Sequence, residues 1–291
     1  MSPKPANPKP PKEIEPEYTW GETPGGQPRI VWEHSARPLW AQSVPERDGV
    51  LLMELERLLF RRASTGEKLW EQPAKAMPDE LACDSRGVVL GSGQTLIEID
   101  PESGAQRWRQ RPGGPVTGVA VDADTVYAST RGPLFALDRR TGQVRWRSPC
   151  SWEPELHPHP EAGLLVVDDP ETEAIQAYSA ANGARRWEFS AEGQPVVAGP
   201  LAAGVLTVSA HEAGVAAVDA ESGEVRWRLE SEGAFEAPGV AHGDRLFFTD
   251  GTIHAVDAAT GERVWHRALA DEEEKVFSLR LDRGTLFAET W

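Results

Sequence analysis

Cysteine is scarce in this chain: 291 residues hold only Cys83 and Cys150, too few for a disulfide framework. No stretch approaches the roughly 20 apolar residues that a membrane-spanning helix needs. The amino-terminal MSPKPANPKPPKEIEPEY also lacks the apolar run of a secretory signal. Read from Met1, the chain is therefore expected in the cytoplasm, with no membrane insertion. Positive charge is short as well, since 30 Lys and Arg against 46 Asp and Glu leave a net charge of −16. That balance argues against nucleic acid, because phosphate-backbone binding depends on cationic surface that releases counterions. Tyrosine and methionine are rare, at three each, while tryptophan is abundant at 11. The positions of those indoles carry the organisation of the chain.

The first 17 residues contain six prolines and almost no apolar side chain. Such a segment buries too little surface to offset its ordering entropy, so residues 1–16 are read as a Pro-rich disordered tail and 17–291 as one folded domain. Within that domain Trp32, Trp70, Trp108, Trp146, Trp187, Trp227 and Trp265 recur at intervals of 38, 38, 38, 41, 40 and 38 residues. A fixed period of this size marks a repeat architecture. Six of these tryptophans end one phrase, as in IDPESGAQRW, LDRRTGQVRW and VDAESGEVRW. Gly66, Gly104, Gly142, Gly183, Gly223 and Gly261 each lie four residues before the indole, preceded by Ser, Thr or Asn. Asp100, Asp138, Asp219 and Asp257 lie eight residues before it.

The phrase reads as a hairpin, with Asp and Ser/Thr bonding the turn amides and Gly supplying a positive φ. Alternation before the turn and two shorter apolar runs upstream give four antiparallel strands per unit. One such sheet cannot cover its own indole, whereas the next sheet stacked against it can. Radial stacking of four-stranded sheets makes a propeller. The expectation is an all-β, seven-bladed β-propeller whose last blade combines inner strands from residues 276–289 with outer strands from about 17–34. The seven recurrent tryptophans are assigned to docking one blade on the next.

The phrase resembles the pyrroloquinoline-quinone (PQQ)-like propeller repeat, whose A-x-D-x-x-T-G-x-x-x-W core is most complete from Ala255 to Trp265. The resemblance covers about residues 29–291 and implies the propeller fold. It implies less about function, because the family includes quinone-dependent dehydrogenases, outer-membrane assembly lipoproteins, kinase-attached sensor domains and non-enzymatic scaffolds. Its cofactor-bearing members are typically longer and eight-bladed, and many carry adjacent cysteines. Here the cysteines are 67 residues apart, and the acids placed on inner strands, Glu46 and Asp84, form no recognisable motif. No cofactor, no metal and no catalytic residue is expected. Cys83 reads as a small buried hydrophobe.

His157 and His159 have a metal-like spacing on one strand face. They are assigned to an ordinary inner strand, since no third ligand is expected to converge. Arginines beside the docking indoles, among them Arg107, Arg109, Arg145, Arg147, Arg226 and Arg228, are read as protection of an outer strand edge. Connectivity puts short, uniform turns on one side of the disc and variable loops on the other. Those loops include SPCSWEP at 148–154, DDPETE at 168–173 and HRALADEEE at 266–274. Variable loops on a rigid frame are where binding concentrates. Trp40, Trp152 and Phe235 are expected to anchor a protein partner there, making the chain a non-catalytic interaction scaffold. The competing readings are a quinone-dependent oxidoreductase and an envelope-assembly scaffold.

Overall fold

The computed structural model describes residues 38–54, 57–73, 80–151, 153–191, 194–210, 214–230, 239–267, 276–282 and 284–290. The expected tail, the outer strands at 17–34 and Trp32 lie outside the described residues, as do Trp152 and Phe235.

Every long element is a strand. Blade 1 contains β1 (Trp40–Val44), β2 (Gly49–Met53), β3 (Arg57–Arg62) and β4 (Lys68–Pro73). Blade 2 contains β5 (Glu80–Asp84), β6 (Gly87–Ser92), β7 (Thr95–Ile99) and β8 (Gln106–Gln110). Blade 3 contains β9 (Val116–Val121), β10 (Thr125–Thr130), β11 (Pro133–Asp138) and β12 (Val144–Pro149). Blade 4 contains β13 (Glu155–His159), β14 (Leu164–Asp169), β15 (Ala174–Ser179) and β16 (Arg185–Ser190). Blade 5 contains β17 (Val196–Ala202), β18 (Val205–Ala210), β19 (Gly214–Asp219) and β20 (Val225–Leu229). Blade 6 contains β21 (Val240–His242), β22 (Arg245–Thr249), β23 (Ile253–Asp257) and β24 (Arg263–Arg267). β25 (Val276–Asp282) and β26 (Thr285–Thr290) form a two-stranded sheet, the inner half of blade 7. Each blade pairs its strands antiparallel in sequence order, as the repeat implied.

Burial explains why the strands differ in composition. The middle strands β10, β14, β15 and β18 are buried at every position, because neighbouring blades cover both faces. Their sequences are accordingly near-continuous apolar runs. The outer strands β12 and β16 instead alternate, with Trp146 and Trp187 buried between exposed neighbours. The core is divided among the seams. Six apolar clusters each join two consecutive blades; one unites Leu164, Val166, Ile175 and Trp187 of blade 4 with Val196, Leu206, Val208 and Val218 of blade 5. Among the described residues a blade thus owns no private core, and blades 2 to 6 share their apolar residues with both neighbours.

The indoles close these seams. Trp70 donates its Nε1–H to the Pro101 carbonyl of the next blade at 2.8 Å, and Trp108 to Arg139 at 2.7 Å. Trp146 bonds Ala180 at 2.8 Å, Trp187 bonds Ala220 at 2.9 Å, and Trp227 bonds Ala258 at 2.9 Å. Each acceptor opens the hairpin turn of the following blade. Gly223 shows why that turn requires glycine. Its φ is +75°, and a Cβ placed there would come within 2.7 Å of the Trp187 ring. Backbone conformation and the close approach of the indole thus select the same residue. Four other glycines of the repeat meet the preceding tryptophan in the same way. Trp265 packs among Phe247, Ile253, Val276 and Leu279 at the seam with β25.

Three of the arginines read as edge protection, Arg107, Arg145 and Arg226, also bind a carboxylate of their own blade. Arg107 contacts Asp100, Arg145 contacts Asp138 at 2.7 Å, and Arg226 contacts Asp219 at 2.6 Å. In each case the bulged hairpin brings Arg back over the turn carboxylate of its own blade. The other oxygen of that carboxylate accepts turn bonds, such as those from the Ser222 amide and hydroxyl to Asp219, both at 2.9 Å. The Arg226 bond and the Ser222 amide hold the Asp219 carboxyl at about 2. Arg145 and Thr141 hold the Asp138 carboxyl at about 2. A depressed native pKa contributes stability above the unfolded value of about 3.9, and that stability is lost as pH falls through the native value. The protein is therefore expected to lose thermal stability between about pH 4 and pH 2. The double variant Asp138→Asn, Asp219→Asn should show a shallower fall in Tm across that window, measured by circular dichroism. An unchanged slope would remove these turns as its source.

Candidate functional site

Strand direction fixes the two faces. The turns joining the first to the second and the third to the fourth strand of each blade lie on one side, and the loops between blades, together with the connections from second to third strand, lie on the other. The inter-blade connections range from residues 111–115 to residues 230–239, so this second face is the variable one. On it the inner strands β5, β9 and β13 frame a recess lined by Glu80, Thr117, Arg131, Glu153, Glu155 and Leu156. Three carboxylates and one guanidinium face this recess, and Arg131 lies 3.9 Å from Glu153. Its field is anionic, which matches a cationic ligand group.

The residues expected to anchor a partner are only partly visible. Trp40 is the first residue of β1, paired with Met53, and is half-buried against the seam of blades 1 and 2. It belongs to a strand, and part of its indole is packing surface rather than free loop. Trp152 and Phe235 lie outside the described residues.

Another expectation changes more. Asp168 and Asp169 were expected at a loop tip, but they are the last residues of β14 and are buried. Register places Asp168 opposite Glu155, with His157 two positions further along β13. Glu155, His157 and Asp168 therefore share one side of blade 4, and one ligand atom from each lies within 4.8 Å of the others. The convergence that sequence reasoning did not find is present. His157 Nε2 is 3.5 Å from Asp168 Oδ2. Burial pulls the His157 imidazole down, yet the Asp168 carboxylate outweighs it and leaves the ring above its ordinary value. His159 takes another partner, Glu161 at 3.4 Å, and burial lowers its pKa.

The quinone chemistry implied by the repeat can be tested against the side chains. Cys83 packs in the seam of blades 1 and 2, and Cys150 in that of blades 3 and 4, so no cysteine pair is formed. Burial pushes both thiols up to about 11, which keeps them protonated and poorly nucleophilic at neutral pH. Asp84 is occupied structurally. Arg139, reaching over from the turn of blade 3, donates to Asp84 at 2.7 Å and to the fully buried Glu98 at 3.1 Å. These residues do not fit a quinone–calcium site.

Comparison with known proteins agrees with the geometry. A family model described as outer membrane protein assembly factor BamB, built on the PQQ repeat, matches residues 27–148, 92–202 and 171–288. The chain belongs to this BamB-type PQQ-repeat family. Part of it, 37%, is 33% identical over 126 residues to the serine/threonine-protein kinase AfsK of Streptomyces griseus. That match covers only 16% of the kinase. Among solved structures, the computationally designed Ika8 protein has a TM-score of 0.70 at 15% identity, covering 88% of this chain and 81% of Ika8. BamB from Moraxella catarrhalis has a TM-score of 0.56 at 18% identity, covering 82% of this chain and 79% of that one. The C-terminal WD40 domain of Sif2 has a TM-score of 0.61 at 12% identity, covering 82% and 74%. At these identities the structural likeness carries the propeller fold. Among the described residues no helix is long and apolar enough to cross a membrane.

Proposed function

We propose that the chain is a non-catalytic scaffold that holds a protein partner on the variable-loop face of the propeller. The observation that carries this reading is the anionic recess at that face, framed by the inner strands of three blades that are locked together by their indoles. The indole-sealed seams fix loops of blades 2, 3 and 4 relative to one another before any partner arrives, which lowers the ordering cost of binding. A basic segment would enter the recess, and Trp152 and Phe235, with the exposed part of Trp40, would supply apolar contact around it. We take the cytoplasm as its compartment; Cys83 and Cys150, packed in separate seams, form no disulfide with one another. A second reading, an envelope-assembly scaffold, is favoured by the description of the family model.

The test combines capture with fractionation. The wild-type chain should retain a specific protein from native-host lysate, released as salt is raised. The variant Glu80→Lys, Glu153→Lys, Trp152→Ala, Phe235→Ala should lose it with its Tm unchanged. Equal capture by both would reject this face as the binding surface. Recovery of the native protein in the membrane fraction would favour the envelope reading.

A further inference from the structure

We propose that Glu155, His157 and Asp168 form a binding site for one divalent transition cation of the Zn²⁺ class, at the variable-loop end of blade 4. The placement follows from pairing. Glu155 and Asp168 are directly opposite on β13 and β14, and His157, two residues along β13, points to the same side. Their ligand atoms lie within 4.8 Å of one another, and the His157–Asp168 separation of 3.5 Å is close to the edge of a metal coordination shell. Two atoms at the site are buried and lack a hydrogen-bond partner among the described residues, His157 Nε2 and Asp168 Oδ1. Asp168 is only 8% exposed, so its orphaned oxygen carries a desolvation penalty that a cation would relieve. Its other oxygen accepts the Ala198 amide of β17 at 2.9 Å, which holds the carboxylate in place and would couple a bound ion to the seam of blades 4 and 5.

The donor set selects the class of ion. Calcium and magnesium take oxygen ligands almost entirely, whereas an imidazole with carboxylates suits zinc and its first-row neighbours. Two carboxylates and a neutral imidazole balance a 2+ charge. Three protein ligands leave a fourth position for water, the pattern of an open zinc site. Glu155, exposed at the start of β13, is the ligand free to swing inward as the ion arrives.

Isothermal titration of the EDTA-stripped full chain with ZnCl₂ tests the site, with CaCl₂ titrated in parallel. One Zn²⁺ per chain should bind and raise Tm, since a ligand of the native state stabilises it. His157→Leu should weaken binding by roughly 100-fold and Glu155→Gln by roughly 10-fold, the scale expected when ligand shells are altered. Glu155 is exposed, so its substitution leaves the fold intact and keeps the test valid if His157→Leu fails to fold. Absence of Zn²⁺ binding, or equal affinity in wild type and Glu155→Gln, would overturn the site and assign any binding to other histidines. Calcium binding as tight as zinc would overturn the ion class.

Discussion

Trp187→Ala lowers the unfolding free energy by about 3–5 kcal/mol, the range for emptying a large aromatic site in a packed core. The effect is large because the indole serves three functions at once. It is 8% exposed and joins the strands of blade 4 to Val196, Leu206 and Val208 of blade 5. It donates to the Ala220 carbonyl, whose residue is 6% exposed, so truncation leaves a buried acceptor unpaired. It also forms the surface against which Gly223 is pressed. Trp187→Phe separates these contributions, since it keeps most of the buried area and forfeits the hydrogen bond. That variant should lose about 1–3 kcal/mol for the unpaired acceptor, plus a smaller packing term. Urea denaturation at neutral pH measures both. A loss below about 1 kcal/mol for the alanine variant would contradict a seam built around the indole.

The repeat was legible because each of its columns has one physical cause. Gly four residues before Trp reflects the left-handed turn, and Trp reflects the open side of a blade that only its neighbour covers. Arginine before Trp was visible, but its pairing with the turn carboxylate was not. The bulge in each pairing of third and fourth strands, such as that between Ala217 and Val218, carries Arg226 back over Asp219, and spacing along an unbulged hairpin does not show this. Arg139 left a signal that could have been used. The column after the turn's first residue holds Ala63, Pro101, Arg139, Ala180, Ala220 and Ala258, and one long cation among small side chains marks a place where a charge is buried on purpose. Its partners Asp84 and Glu98 belong to a different blade, so sequence distance concealed them.

The recess and the cation site were less legible, for a related reason. Asp168 sits in DDPETE, a run whose composition reads as a solvated turn. In the structure its first two residues extend β14, and Asp169 caps the remaining turn by accepting the Glu171 and Thr172 amides. Moving a strand end by two residues changes Asp168 from a loop acid into a buried neighbour of His157. Glu80, Glu153 and Arg131 come from three separate repeats and meet only where inner strands converge around the axis. No single window of sequence contains them.

The largest effect expected of any change is removal of residues 17–34, which the sequence assigns to the outer strands of blade 7. β25 and β26 form a two-stranded sheet where every preceding blade has four strands. The sequence assigns the two outer strands, and the first docking indole Trp32, to residues 17–34. Gly66 has a φ of +75°, matching the five glycines that lie beneath an indole, and Trp32 is the tryptophan one period earlier. On that assignment, losing the segment would open the ring, leaving an unpaired strand edge on β26 and an uncovered seam beside blade 1. Thermal denaturation of two truncations tests this directly, one lacking residues 2–12 and the other lacking residues 2–34. The ring predicts a Tm close to that of the full chain for the first and a collapse of cooperative melting, or a large fall in Tm, for the second. Equal melting temperatures would contradict closure by the two ends of the chain and, with it, the seventh blade.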